Sequence, residues 1–202
     1  MKYKNYKRVL QFIELFIIVT GVYAGPFGLE MGMSINQISK ISKTSIYDRE
    51  NMIYTIIPPK NHPEFNLYYV VIAPKNGLCE IIAYGRENIV SKSGKELKDK
   101  FYSIKNSVDS NYGIGKITEI DSIEGKDLEL PWLNRVYNGS AILRSDWDKN
   151  TVPNIVKTIN KIELSVHYSL KSWELGYLEL RYTFSNIDSA VSEIRSISKT
   201  VF

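Results

Sequence analysis

In 202 residues there is one cysteine, Cys79, and there are two histidines, His62 and His167. A single cysteine excludes an intramolecular disulfide, and so few thiols and imidazoles leave no set with the spacing of a zinc site. No uninterrupted apolar run reaches the ~20 residues that cross a bilayer comfortably as a helix. There is no strong excess of either charge: 26 basic residues face 22 acidic ones. Lys2, Lys4, Lys7 and Arg8 against Glu14 put most of the net +4 into the first 24 residues and leave the remainder close to neutral. That distribution gives no basic surface for nucleic acid.

What is present is an ordinary globular composition, 44% apolar and 24% charged, which is enough to bury a core. The first 24 residues read as an export signal. The basic "MKYKNYKR" precedes the apolar Leu15–Ala24, and Val22-Tyr23-Ala24 offers small residues where a signal peptidase reads, so cleavage falls before Gly25. The expected location is periplasmic or secreted. Gln11 and Glu14 interrupt the apolar stretch and support the competing reading, a retained N-terminal helix on a cytoplasmic or membrane-tethered protein.

Along the mature chain, Ser34 and Gln37 form an S-x-x-Q capping box ahead of Ile35, Ile38 and Ile41, which predicts a short helix over about 34–42. Residues 51–57 read as a strand. "LYYVVIAPKNGLCEIIAYG" reads as a hairpin turning at Asn76-Gly77, with Cys79, Ile81 and Ala83 on one face and Leu78, Glu80, Ile82 and Tyr84 on the other. Leu97, Phe101, Ile104 and Val108 recur at helical spacing up to Gly113. Residues 114–138 read as polar and irregular. Three strands follow. The second alternates with Ile162, Leu164, Val166 and Tyr168 inward, and the third with Leu178, Leu180, Tyr182 and Phe184 inward. A last helix starts near Asp188, with Val191, Ile194 and Val201 on its buried side. The expected fold class is α+β, an antiparallel sheet with helices packed on one face. The order reads as two tandem αβββ units, 25–90 and 91–202, which can share one compact domain.

The chemistry is sparse. Gly25, Gly28 and Gly32 precede a helix but follow no strand, so they lack the setting of a phosphate loop. His62, in the proline-flanked "PPKNHPEF", has no nucleophile frame around it; a hydrolase built on it is the minor alternative. The carboxylate pairs Asp146/Asp148 and Glu119/Asp121 read as solvated strand flanks. Cys79 reads as a small core residue. No catalytic residue, metal or cofactor is expected. Trp132, Trp147 and Trp173, near Tyr68, Tyr69 and Tyr177, together with His62, are the candidates for a partner-binding surface. Their competing role is to close the ends of the core.

Gly32, Met33, Ser34, Gln37 and Ile38, opening a helix before an antiparallel sheet, resemble the outer-membrane assembly lipoproteins of the BamE/SmpA type and, more broadly, the tandem αβββ-like architecture of the β-lactamase inhibitor protein. The chain has no lipobox cysteine, a departure from the lipoproteins. "GPFGLEMGMS", "PPKNHPEF", "APKNGLC" and "GYLELRYTF" make most of the mature chain resemble a group of bacterial exported proteins that carry no assigned activity. The resemblance implies a non-enzymatic exported accessory module whose partner is another protein of the cell envelope.

Overall fold

A computed structural model describes residues 25–121 and 130–199. The export segment 1–24 and Val201 lie outside the described residues. Among the described residues, nine strands form one antiparallel sheet, and four α-helices accompany it. The first half is α1 (Ile35–Ile38), β1 (Lys43–Asp48), β2 (Ile53–Ile57), β3 (Phe65–Ala73) and β4 (Gly77–Gly85). A two-residue strand, β5 (Asn88–Ile89), leads into α2 (Lys95–Tyr112), β6 (Lys116–Asp121) and α3 (Trp132–Asn138). The second half closes with β7 (Ala141–Asp148), β8 (Ile159–Ser169), β9 (Ser172–Phe184) and α4 (Ile187–Lys199). The order across the sheet is β1-β2-β3-β4-β9-β8-β7-β6, and β5 pairs with β9. Each half is therefore a meander of four strands rather than three, and the meanders meet through their last strands, β4 and β9.

Alternation along the strands sorts the side chains into two faces. Tyr68, Val70, Ile72, Ile81, Ala83, Ile162, Leu164, Val166, Leu178, Leu180 and Tyr182 lie in one continuous core. The buried stripe of α2, Leu97, Phe101, Ile104 and Val108, packs there against β7–β9, with α3 beside it. Phe27 in the N-terminal segment covers the other end, with ring contacts to Phe65, Tyr68 and Tyr182. Ser34 and Gln37 close a capping box on α1: Gln37 N–H donates to Ser34 Oγ at 3.3 Å, and Ser34 N–H to Gln37 Oε1 at 2.8 Å. The segment is stitched to β4 by Gly32 N–H to the Leu78 carbonyl and Leu78 N–H to the Met33 carbonyl. Gly77 (φ 67) is obligatory at that crossing, since a Cβ there would lie 2.1 Å from the Gly32 carbonyl oxygen.

The helices are not confined to one face. α4 crosses β3 and β4 on the opposite side, where Ala190 and Ile194 enclose Ala73 and Cys79. A bulge makes this fit: Val71 pairs with Glu80 but Ile72 with Leu78, so Cys79 is skipped in the register. Leu78 is thereby turned into the main core with Ile81 and Ala83, and Cys79 toward α4. Simple alternation, which puts Cys79 with Ile81 and Leu78 with Glu80, fails at both residues before the bulge. Cys79 is fully buried, and burial pushes its thiol up to about 12, so it serves as a core side chain.

Residues 114–121 and 130–138 are more regular than their polarity implies. β6 pairs with β7 without a break from Lys116–Asp146 to Asp121–Ala141, and α3 starts immediately after Pro131. One carboxylate ties this region to the core. Asp109 at the end of α2 accepts from Gly115 N–H at 3.0 Å, Trp147 Nε1–H at 2.9 Å and Lys105 Nζ at 2.6 Å. Burial alone would raise the Asp109 carboxyl, but these bonds outweigh it and hold it below the ordinary carboxylate range. Asp109→Ala leaves two N–H donors and a buried ammonium unpaired and should cost about 2–4 kcal/mol in unfolding free energy by urea titration. A loss below about 0.5 kcal/mol would remove this carboxylate from the framework.

Candidate functional site

Trp132 and Trp147 are 2% and 0% exposed and cannot anchor a partner on the surface. Each lies on a glycine: a Cβ on Gly94 would fall 2.1 Å from the Trp132 ring, and one on Gly115 would fall 2.3 Å from the Trp147 ring. The tryptophans close the core, and aromatic surface has to be sought elsewhere. Trp173 belongs to β9, but its side chain lies outside the described residues. His62 is half-buried against Phe65, and its Nδ1 accepts from Glu64 N–H at 3.2 Å. Its own N–H donates to the Tyr68 hydroxyl at 2.9 Å, so this residue organises its loop. The carboxylate pairs are likewise engaged. Asp121 holds Arg135, Glu119 accepts from Tyr102, Asp146 meets Arg144 and Lys161, and Asp148 accepts turn amides from Asn150 and Thr151. Among the described residues, no three His, Cys, Asp or Glu side chains converge as metal ligands.

The aromatic surface lies on the sheet face that α4 only partly covers. On that face β3 presents Leu67, Tyr69 and Val71, β4 presents Glu80, Ile82 and Tyr84, β9 presents Tyr177, Glu179 and Arg181, and β8 presents Glu163, Ser165 and His167. The register sets these side chains on diagonals and brings five rings into a ladder. Tyr47 meets Tyr69 with ring centroids 4.6 Å apart, Tyr69 meets Tyr84 at 5.7 Å, and Tyr84 meets Tyr177 at 5.9 Å. Tyr177 then stacks on His167 at 5.4 Å with ring planes 18° apart. The ladder starts on β1, passes over β2, and spans the junction between the halves. Ring contacts of this kind add about 0.5–1.5 kcal/mol per pair beyond the area they bury.

Charged residues fill the neighbouring positions of the same face. Arg181 on β9 bridges Glu80 on the neighbouring β4 at 3.2 Å and Glu179 on its own strand at 2.8 Å. Burial, and then the Glu179 charge, push the Tyr84 phenol up to about 12; Tyr69 and Tyr177 are also raised, chiefly by burial. All three stay neutral donors and acceptors at physiological pH. His167 is held below its ordinary value, chiefly by burial, with Arg181 adding to the effect and Glu179 and Glu163 opposing it. Its Nε2 lies 2.9 Å from Ser165 Oγ and 3.8 Å from Glu179 Oε2.

A groove of about 830 Å³ is floored by Leu67, Tyr69, Ile82 and Tyr84. It is walled by Tyr47 on one side and by the β8–β9 turn on the other, where Leu170 is 91% exposed. That turn is pinned by Glu87, which accepts from Ser169 Oγ at 2.8 Å and Lys171 Nζ at 3.0 Å. A second groove, of about 700 Å³, shares Asn66 and Leu67 with the first and is lined by Ser39, Ser42, Ser45 and Thr55. Volumes in this range admit a ligand or a partner's side chains. Sequence reading identified Tyr69 and Tyr177 as nearby aromatics and His167 as outward-facing. Tyr47 and the juxtaposition itself were not identified, because they depend on which strands become neighbours.

No protein-family model, curated protein or solved structure matches the chain.

The lowered His167 sets a pH dependence. Above the unfolded imidazole value of about 6.5 both states are neutral and nothing is lost. As the pH falls below that, the unfolded chain takes up the proton first, so stability declines. Denaturant midpoints at pH 7.5 and pH 5.5 should show a smaller acid-side loss for His167→Gln than for the parent. An unchanged difference would place the titrating group elsewhere.

Proposed function

We propose that this chain is an exported, non-enzymatic binding protein that docks another protein of the cell envelope on its open sheet face. One observation carries the docking: a continuous five-ring ladder lies on a face that the chain's own helices leave largely uncovered. Isolated exposed apolar residues are ordinary on protein surfaces, but a contiguous aromatic and aliphatic patch marks an interaction site. Tyr47, Ile57, Leu67 and Leu170 are 64%, 61%, 39% and 91% exposed on or beside that groove. Tyrosine suits such a role, since it offers a large rigid contact area with few torsions to immobilise and keeps a hydroxyl for a partner's polar groups. The aliphatic share of the patch favours a polypeptide partner.

The non-catalytic reading is supported by the condition of the reactive groups. The Cys79 thiol is buried and protonated, His62 is tied into its own loop, and the strand-end carboxylates are held by cations and amides. Export is supported by the basic-then-apolar pattern of residues 1–24. Among the described residues, no helix is long and apolar enough to cross a membrane.

A photo-crosslinking amino acid placed at Tyr47 or Leu67 in cells should give discrete protein adducts, while the same group at Tyr137, 65% exposed on α3, should not. Equal adducts at all three positions, or adducts at Tyr137 alone, would reject this face as the interface. Export has its own check. N-terminal sequencing of protein recovered from the periplasmic fraction should begin at Gly25, and an intact Met1 confined to the cytoplasm would reject it.

A further inference from the structure

We infer that the groove takes an extended acidic–apolar segment of the partner, with aliphatic or aromatic side chains on the ladder and carboxylates at the groove's basic rim. The inference rests on reading the open face as a docking surface and names the chemistry of what docks there. The charges that line the two joined grooves are Lys43, Arg86, Lys171 and Glu87. Glu87 is already held by Lys171 and Ser169 and offers nothing to a partner's cations. Lys43 and Arg86 are both exposed, and among the described residues neither has a carboxylate within ion-pair distance. The rim is therefore basic by two charges, although the chain outside its first 24 residues is close to neutral. The other charges of this face, the carboxylates of Glu80, Glu179, Glu163 and Asp146 with the cations Arg181, Lys161 and Arg144, form ion pairs with one another and line neither groove.

The chemistry between those cations narrows the occupant. Leu67, Tyr69, Ile82 and Tyr84 give an apolar floor, while Asn66, Ser42, Ser45 and Thr55 supply hydrogen-bonding groups along the neighbouring stretch. A partner laid across the strands meets an apolar floor bordered by cations, which an alternation of aliphatic and acidic residues complements.

The test uses the full chain and two synthetic decapeptides, one alternating Leu with Asp and the other Leu with Lys, titrated by fluorescence anisotropy with amide shifts mapped by NMR. The Leu/Asp peptide should bind and shift Leu67, Tyr69 and Tyr84, and binding should weaken as salt rises from 0.05 to 0.5 M. The Lys43→Glu/Arg86→Glu double variant removes and reverses two exposed cations, so it should weaken that binding roughly tenfold while leaving the denaturation midpoint unchanged. Binding of the Leu/Lys peptide at equal or higher affinity, no binding of the Leu/Asp peptide, or indifference to the double variant would each overturn the inference. So would phosphatidylglycerol vesicles shifting the groove residues where the peptide does not. Protein adducts at Tyr47 and Leu67 that persist in the double variant would leave the docking face standing and reject only its preference for acidic segments.

Discussion

Five consecutive residue pairs between β4 and β9, from Glu80 opposite Thr183 to Tyr84 opposite Glu179, hold two four-stranded meanders in one sheet. Without this pairing each half would end in an open edge rich in β-branched and aromatic residues, a template for misassociation. With it, Ile81 and Ala83 meet Leu180 and Tyr182 on the core side, and Arg181 bridges Glu80 and Glu179 on the other. The remaining outer edges are handled differently. β1 is interrupted by a register shift between Ile46 and Asp48, and β6 is short and bears Lys116, Glu119 and Asp121.

The junction also creates the candidate site. Tyr84 belongs to the first half and Tyr177 to the second, and their contact exists only because β4 and β9 are neighbours. The core side and the open side then serve different ends of one chain. α2, α3 and the Phe27 segment cover the first face, whereas α4 covers only the far end of the second, over Ala73 and Cys79. The uncovered remainder of the second face carries the ladder.

Much of the framework was legible because burial on one side imposes a period. The alternation at Ile162–Tyr168 and Leu178–Phe184 and the spacing of Leu97, Phe101, Ile104 and Val108 each report a local rule that the tertiary structure obeys, whereas the hairpin expected at Asn76-Gly77 turns one step earlier, over residues 74–76, with Gly77 already paired to Ala73 and alone at positive φ. β1 and β6 were not legible, because an edge strand exposed on most positions has no apolar period to read, and "KTSIYD" and "KITEID" look like loops. The seven-residue α3 is too short to show a helical period. The bulge at Cys79 hides for another reason: it is fixed by what α4 and β3 require of β4, not by the local sequence. The burial of Trp132 and Trp147 was hidden for a related cause, since their glycine beds at Gly94 and Gly115 are distant in sequence from the rings they receive. The ladder is the most tertiary feature of all, because each ring faces outward by local alternation but their alignment follows from strand order and register.

The central claim is that the two halves share one sheet and that this sharing assembles the ladder. Nuclear Overhauser spectroscopy on the chain with labelled tyrosine and histidine measures it directly. The account predicts ring-to-ring contacts from Tyr69 to Tyr84, from Tyr84 to Tyr177 and from Tyr177 to His167, together with cross-strand backbone contacts between residues 80–84 and 179–183. Ring contacts within each half but none between Tyr84 and Tyr177 would contradict it.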